Sequence, residues 1–263
     1  MVYELTELSD LRELESIFAR VWERTAESPL NSETLRALSH SGAYVSGARV
    51  GDRLVGGLVG WLGGRPPDDL HLHSHILGVV PDTQVHGVGF ELKQHQRSWC
   101  LERGVGVIQW TFDPLVSRNA YFNLHKLGAS ASAYLVNFYG AMADRINAGD
   151  ESDRLLISWH VGSDRAAAAA AGTTPELRLE ALERDGAMRI LEVGPSGQPI
   201  RTDSDAETVL AQVPEDIVEL RRADPVLARR WRTSAREALA GAMRGDRAVT
   251  GVTRSGWYVL ERG

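Results

Sequence analysis

The sequence predicts an α/β fold of the α+β kind: a mixed central sheet flanked by helices, followed by an α+β C-terminal extension. Three observations carry this. Segments with helical and strand periodicity follow one another as α, α, β, β, β, α, β, α, β up to about residue 140. Within that order, residues 70–112 hold an apolar run, a glycine loop, an amphipathic stretch and a second apolar run, the pattern of a crossover between parallel strands. Past residue 148 the apolar runs shorten and are separated by Asp185-Gly and Gly194-Pro-Ser-Gly turns. The expected division is therefore 1–148 and 149–263.

Taken in order, Ser9 reads as an N-cap, and Leu11, Leu14, Ile17, Phe18, Val21 and Trp22 at helical spacing carry a helix to about Arg24. Glu27-Ser-Pro-Leu-Asn31 breaks it, and a second helix runs from Ser32 to His40 with Asn31 as cap. Ala43–Val50 and Leu54–Leu62 read as a hairpin about Gly51-Asp52, and 63–69 as a loop. Leu70–Val80 is a third strand in which His71, His73 and His75 alternate with Leu72, Ser74 and Ile76, so the imidazoles share one face. Val88, Leu92, His95 and Trp99 form the inner stripe of a helix whose opposite side carries Glu91, Lys93, Gln94, Arg97 and Ser98, and Gly104 ends it. A strand at Val105–Phe112, a helix at Ser117–Leu127 and an extended run at Ala133–Tyr139 complete the first part.

At 263 residues the chain is long enough to bury a sizeable core, and 43% hydrophobic with 24% charged residues is an ordinary globular composition. A net charge of -6 argues against a general nucleic-acid binder. The single cysteine, Cys100, excludes an internal disulfide and a multi-cysteine zinc site; its helical pattern places it in the interior without chemistry. The N-terminus lacks the basic and apolar regions of a signal peptide. The longest apolar stretch, 54–62, is too short to span a bilayer. The expectation is a cytoplasmic protein with no membrane or nucleic-acid partner; a homodimer is compatible with the composition.

Gln84-Val-His-Gly-Val-Gly89 stands between the histidine strand and the following helix. The first turn of a helix has unpaired N–H groups and the positive end of the macrodipole, and glycines at 87 and 89 let an anion approach the main chain. A dinucleotide fingerprint would need a third glycine where Leu92 stands, and no Gly-Lys-Ser/Thr of a P-loop is present.

On these residues the chain resembles the GNAT superfamily of acyl-CoA N-acyltransferases, whose Gln/Arg-x-x-Gly-x-Gly/Ala loop is matched at every specified position by 84–89. A second family block, Asn-x-x-Ala before a helix ending Leu-Gly-Phe, appears in part as Ser117-Arg-Asn-Ala120 and Lys126-Leu-Gly-Ala129. The likeness covers about residues 1–140. It implies a GNAT-like sheet and transfer of an acetyl or succinyl group from acetyl-CoA or another acyl-CoA, as co-substrate, to a small-molecule amine. It implies that Gln84, Val85, His86, Gly87, Val88 and Gly89 hold the pyrophosphate. Leu77, Gly78 and Val79 would offer strand-end amides to the thioester carbonyl, and Asn119 and Asn123 would lie near the pantetheine arm. His73 falls where many members carry a catalytic glutamate, and His73-Ser-His75 resembles the His-x-His proton path of arylalkylamine N-acetyltransferases. His73 is thus the expected general base with His75 assisting, while His71 is acceptor-side or surface. The tyrosine that usually protonates the thiolate is replaced by Leu124; Tyr121, Tyr134 or Tyr139 are candidate substitutes. Alternatives stay open at this point: imidazoles merely hydrogen-bonded in a polar cleft, or a metal site on alternating histidines, although no metal is expected.

In the second part, strands are expected at Leu155–Val161, Leu177–Leu182, Met188–Val193, Val209–Val213 and Trp257–Leu260. Helices are expected at Ala166–Ala171, after Pro214 and from Pro225 to about Met243. Arg229, Arg230, Arg232 and Arg236 on the last helix read as a solvated face, or as holders of an acidic acceptor, an acyl carboxylate or the coenzyme's 3′-phosphate. Asn137-Phe-Tyr-Gly140, Asp153-Arg154 and Trp231-Arg232 loosely resemble a bacterial GNAT subgroup acting on amino acids, which makes amino-acid N-succinylation a named option. The competing class is a non-catalytic acyl-CoA-binding regulator, motivated by Leu124.

Overall fold

In the computed structural model of the chain, residues 1–22, 30–65, 69–81, 86–140 and 150–263 are described. The loop positions Gln84 and Val85, the helix break expected at 27–31 and the connector through 141–149 lie wholly or partly outside them. The chain forms two units, Met1–Trp110 with His160–Gly162, and Thr111–Trp159 with Ser163–Gly263.

The first unit begins with β1 (Val2–Glu4), α1 (Leu8–Val21) and α2 (Ser32–His40). Leu11, Leu14, Ile17 and Phe18 make the buried stripe of α1, and Leu35 joins them from α2. Asn31 caps α2 as expected, its Oδ1 accepting from Thr34 N–H at 2.8 Å, whereas α1 starts one residue before Ser9 and Glu7 stands at its cap without a side-chain bond. β2 (Tyr44–Val50) and β3 (Arg53–Gly63) pair through Val50 and Arg53, so Gly51-Asp52 is the hairpin turn, with Gly51 at φ 57°. The glycines of β3 let helices sit close. A Cβ on Gly57 would lie 2.3 Å from Leu14 Cδ1. β4 (His71–Val79), α3 (Val88–Glu102) and β5 (Val107–Phe112) complete the unit in the order β1-β2-β3-β4-β5, antiparallel except for the parallel β4–β5 pair. Gly104, at φ 69°, follows the end of α3 as expected.

The second unit contains α4 (Ser117–Ala120), a π-helical turn (Tyr121–Lys126), β6 (Ser130–Leu135), β7 (Arg154–His160), α5 (Asp164–Ala170) and α6 (Leu179–Arg184). There follow β8 (Met188–Val193), β9 (Pro199–Arg201), β10 (Thr208–Gln212), α7 (Ile217–Ala223), α8 (Pro225–Arg244), β11 (Arg247–Val252) and β12 (Trp257–Arg262). Its strands are ordered β7-β6-β11-β12-β10-β8-β9. Three expectations are corrected. Of the run expected as a strand at 177–182, residues from 179 on belong to the helix Leu179–Arg184, in which Leu179 and Leu182 pack together against Ala187, Leu210, Trp257 and Val259. β6 ends at Leu135, and Asn137, at φ 46°, turns the chain, so Tyr139 lies in a turn. α7 is capped by Asp216, which accepts from Val218 and Glu219 N–H, so Pro214 precedes the helix. β9 and β11 had no clear alternation to announce them. Pro225 at the start of α8, with Asp224 as cap, is as expected. Among the described residues no helix is long and apolar enough to cross a membrane.

Candidate active site

β4 changes face partway along. Ser74 pairs with Gly60 and Ile76 with Val59, so His75 is an inserted residue, a β-bulge. Before the bulge, Leu72 and Ser74 are buried on the α3 side. After it, Ile76 joins the α1 core, Gly78 lies under Phe18 and Trp22, and Leu77 turns to Gly89 of α3. The imidazoles of His73 and His75 therefore come out together on the α1 side, ring centroids 5.7 Å apart, with Trp61 5.2 Å from His73 and 4.7 Å from His75. His71 lies on the same side near Gly63 and 3.8 Å from Asp69. Desolvation lowers both pKa values from 6.5, for the half-buried His73 and for His75, which is exposed but has Trp61 on one side; for His73 the neighbouring His75 and His71 and the Lys93 ammonium push the same way. Both rings are thus neutral at pH 7.

Beyond the bulge the sheet opens. β4 and β5 share a ladder only at Leu72–Ile108 and His73–Gln109, and β4 continues to Val79 without a partner from β5. Val80 N–H donates to Val55 O at 2.9 Å on the β3 side, so by the strand's period of two the Gly78 amide turns that way as well. The amides of Leu77 and Val79 face the opened edge.

α3 starts beside this edge. Gly87 caps it in the left-handed region, at φ 89°, where a side chain would be strained and where an added Cβ would meet nothing within 4 Å. Val88 is buried beneath, Gly89 approaches Leu77 to 3.6 Å measured from an ideal Cβ, and His86 is exposed in the preceding turn. The first-turn amides of this 15-residue helix are thus bared by glycine, which fits a pyrophosphate.

Sequence periodicity missed Lys93. Instead of lying on the solvent side of α3 it is buried: its Nζ donates to Ser74 Oγ at 2.8 Å and Gln96 Oε1 at 3.2 Å and sits 3.7 Å over the Trp110 ring. Among the described residues no carboxylate pairs with it, and burial lowers its pKa to about 7. His95 is half-buried, with Tyr44 Oη 2.8 Å from its Nδ1, while Gln96 takes the fully buried place expected for it. Burial raises the Cys100 thiol to about 12, consistent with an inert interior residue.

In the second unit, Asn119 is exposed and Asn123 buried in the π-helical turn, where Leu127 N–H reaches back five residues to Phe122 O at 3.0 Å. Leu124, in the place of the usual tyrosine, is buried. Tyr121 donates to Glu176 at 3.1 Å, and Tyr134 to Asp153 at 2.7 Å. The Tyr139 hydroxyl instead meets Thr111 Oγ1 at 3.2 Å, with the Arg154 guanidinium 5.3 Å from its ring centre. Among the described residues no three His, Cys, Asp or Glu side chains are grouped to hold a metal ion.

The profile of the Acetyltransferase (GNAT) family matches residues 8–128, which include the bulged strand, the glycine-capped helix and the π-helical turn. Residues 8–128 belong to the GNAT acetyltransferase family. The chain thus contains a GNAT acetyltransferase domain, a family of acyl-CoA-dependent N-acetyltransferases. Solved GNAT-like structures agree in fold. A ribosomal-protein-alanine N-acetyltransferase from Brucella melitensis is 18% identical, with TM-score 0.50 over 60% of this chain and 98% of that one. The yncA protein of Salmonella typhimurium, solved with its cofactor acetyl-CoA, is 15% identical, with TM-score 0.50 over 62% of this chain and 94% of that one. No curated protein matches the sequence.

Proposed function

We propose that the chain transfers an acyl group from acyl-CoA to the amine of a small molecule in the cytoplasm, with 1–148 as the acyltransferase domain and 149–263 as its extension. The observation that carries this is the neutral His73–His75 pair on the bulged strand, next to the unpaired Leu77 and Val79 amides and the glycine-capped helix. Acyl-CoA supplies the thioester. The α3 amides at Gly87, Val88 and Gly89, with Gln84, Val85 and His86, hold its pyrophosphate, and Asn119 and Asn123 its pantetheine arm. Leu77 and Val79 N–H polarise the carbonyl. His73, relayed by His75, takes the proton that a neutral amine gives up as it attacks. Of the three candidate phenols, Tyr121 and Tyr134 donate to carboxylates; Tyr139, bonded to a hydroxyl, is the one whose proton is not held by a carboxylate and is the proposed donor to the leaving thiolate.

Amino acids are the first acceptors to test, with succinyl-CoA beside acetyl-CoA. Two of the three segments behind that option are joined directly: Asn137 N–H donates to Asp153 at 2.9 Å and Arg154 lies over Tyr139, whereas Arg232 pairs with Asp113 and Asp150. Thiol release from both donors across an amine panel is the test. Turnover with at least one amine is expected, with an acid limb below pH 6.5, and His73→Ala/His75→Ala lowers kcat by about 10²–10⁴-fold. Tight CoA binding without amine-dependent release from any donor would overturn the enzyme reading in favour of an acyl-CoA-binding regulator. Normal turnover by the double variant would remove the histidines from the proton path.

A further inference from the structure

The second unit carries a cleft that the acyltransferase reading does not use. It has a volume of about 580 Å³ and runs along the C-terminal half of α8 and the segment that follows β9. On α8 its wall is Ala238, Gly241, Ala242 and Gly245, one helical turn apart, and the nearest atom to a Cβ built on Gly241 is Arg244 Nη2 at 4.0 Å. Small side chains leave the room; arginines furnish the rest.

Four arginines line the cleft, and two of them are committed. Arg201 pairs with Glu237, and Arg262 lies 3.8 Å from Glu207 and donates to the Asp205 carbonyl. The other two have no carboxylate partner among the described residues. Arg247 is more than nine-tenths buried; its Nη2 donates to the Ala206 carbonyl, and its buried Nε–H has no acceptor. Arg244, three residues earlier at the end of α8, is exposed and makes no hydrogen bond or ion pair with the described residues.

Burying a guanidinium without a counter-charge is unfavourable, and the arginine fork matches phosphoryl and carboxylate oxygens two at a time. The volume falls within the roughly 300–1,000 Å³ range of small-molecule sites. Asp203, Asp205 and Glu237 line the same cleft, which restricts an occupant to one compact anionic group and disfavours a polyanion. We propose that this cleft binds a small molecule through a phosphoryl or carboxylate group held by Arg244 and Arg247.

The test is calorimetric titration of the full chain with inorganic phosphate and with malonate, which separates the two sources of oxyanion. Gly87→Ala serves as the variant at the α3 helix start, the other anion-receptive place. Expected is millimolar or tighter binding of at least one anion, weakened about tenfold or more by Arg244→Ala and lost in Arg247→Gln, but retained in Gly87→Ala. Arg244 is exposed, so its variant reports even if Arg247→Gln fails to fold. No binding of either anion to the parent chain, binding unaffected by Arg244→Ala, or binding abolished only by Gly87→Ala would each overturn the proposal.

Discussion

Lys93 shows how one side chain can carry a pH dependence into the core. Its partners are Ser74, Gln96 and the Trp110 face, all neutral, so they offset only part of the cost of a charged ammonium in the interior. Its folded pKa, about 7, lies below the 10.5 of an unfolded lysine. Below pH 7 both states hold the proton and the penalty is complete; between about 7 and 10.5 the unfolded chain holds more protons, so stability rises with pH. Urea unfolding is expected to show a rise on the order of 3 kcal/mol from pH 6 to pH 10 that Lys93→Met removes. An equal pH slope in the variant would mean that the ammonium reaches solvent. Lys93 was unreadable in sequence because lysine on an amphipathic helix normally marks the wet face; only Ser74 and Trp110, brought from two strands, show otherwise.

At the scale of elements, the bulge in β4 and the glycines of β3 work together. An inserted residue at His75 turns the later half of β4 over, so His73 and His75 share a side with Ile76 while Leu77 faces α3. The alternating histidines were legible from a period of two, but the bulge was not, since its signal is a register shift against Val59 and Gly60. The glycines of 54–62 that interrupted an apolar run in sequence prove to be contact points. An added Cβ at Gly57 would meet Leu14 and come within 2.7 Å of the Ser46 carbonyl, a backbone atom that cannot swing aside. Gly57→Ala should therefore destabilise by about 2–3 kcal/mol, read as a lower urea midpoint with unchanged slope. A loss under about 0.5 kcal/mol would show that α1 shifts freely on the sheet.

On the largest scale, a buried charge network organises the second unit. Arg232 holds Asp113 with two parallel bonds of 2.9 and 2.8 Å and reaches Asp150 at 3.0 Å; Arg221 bonds Asp113 at 2.6 Å and Asp150 at 3.0 Å. Beside it Arg236 grips Asp153 and Glu151. The expectation of a solvated arginine face is thus corrected for Arg232 and Arg236, whose charges are answered from within, while Arg229 and Arg230 remain exposed. Burial alone would raise the Asp113 pKa, but the Arg232 and Arg221 guanidiniums bring it down from 3.8 to about 2. Its stabilising contribution is complete above pH 3.8 and lost as pH falls toward 2. Asp113→Asn leaves two buried cations short of a counter-charge and is expected to cost about 3–5 kcal/mol at pH 7, with a flatter acid-unfolding curve between pH 4 and 2. Parent-like stability would mean that Asp150 alone suffices.

What the sequence determined by itself was local: the glycine-capped start of α3, the Asn31 cap, the start of α8 at Pro225, the histidine alternation, and the parallel crossover from β4 to β5. These follow from backbone chemistry within a few residues, which is why the GNAT resemblance could be read from them. Tertiary structure decided which polar groups are interior. Arg232 meets Asp113 across 119 positions and Lys93 meets Ser74 across 19, distances over which periodicity carries no signal. It also decided the face of His73 and His75, because a bulge is defined by the neighbouring strand and leaves no mark on its own.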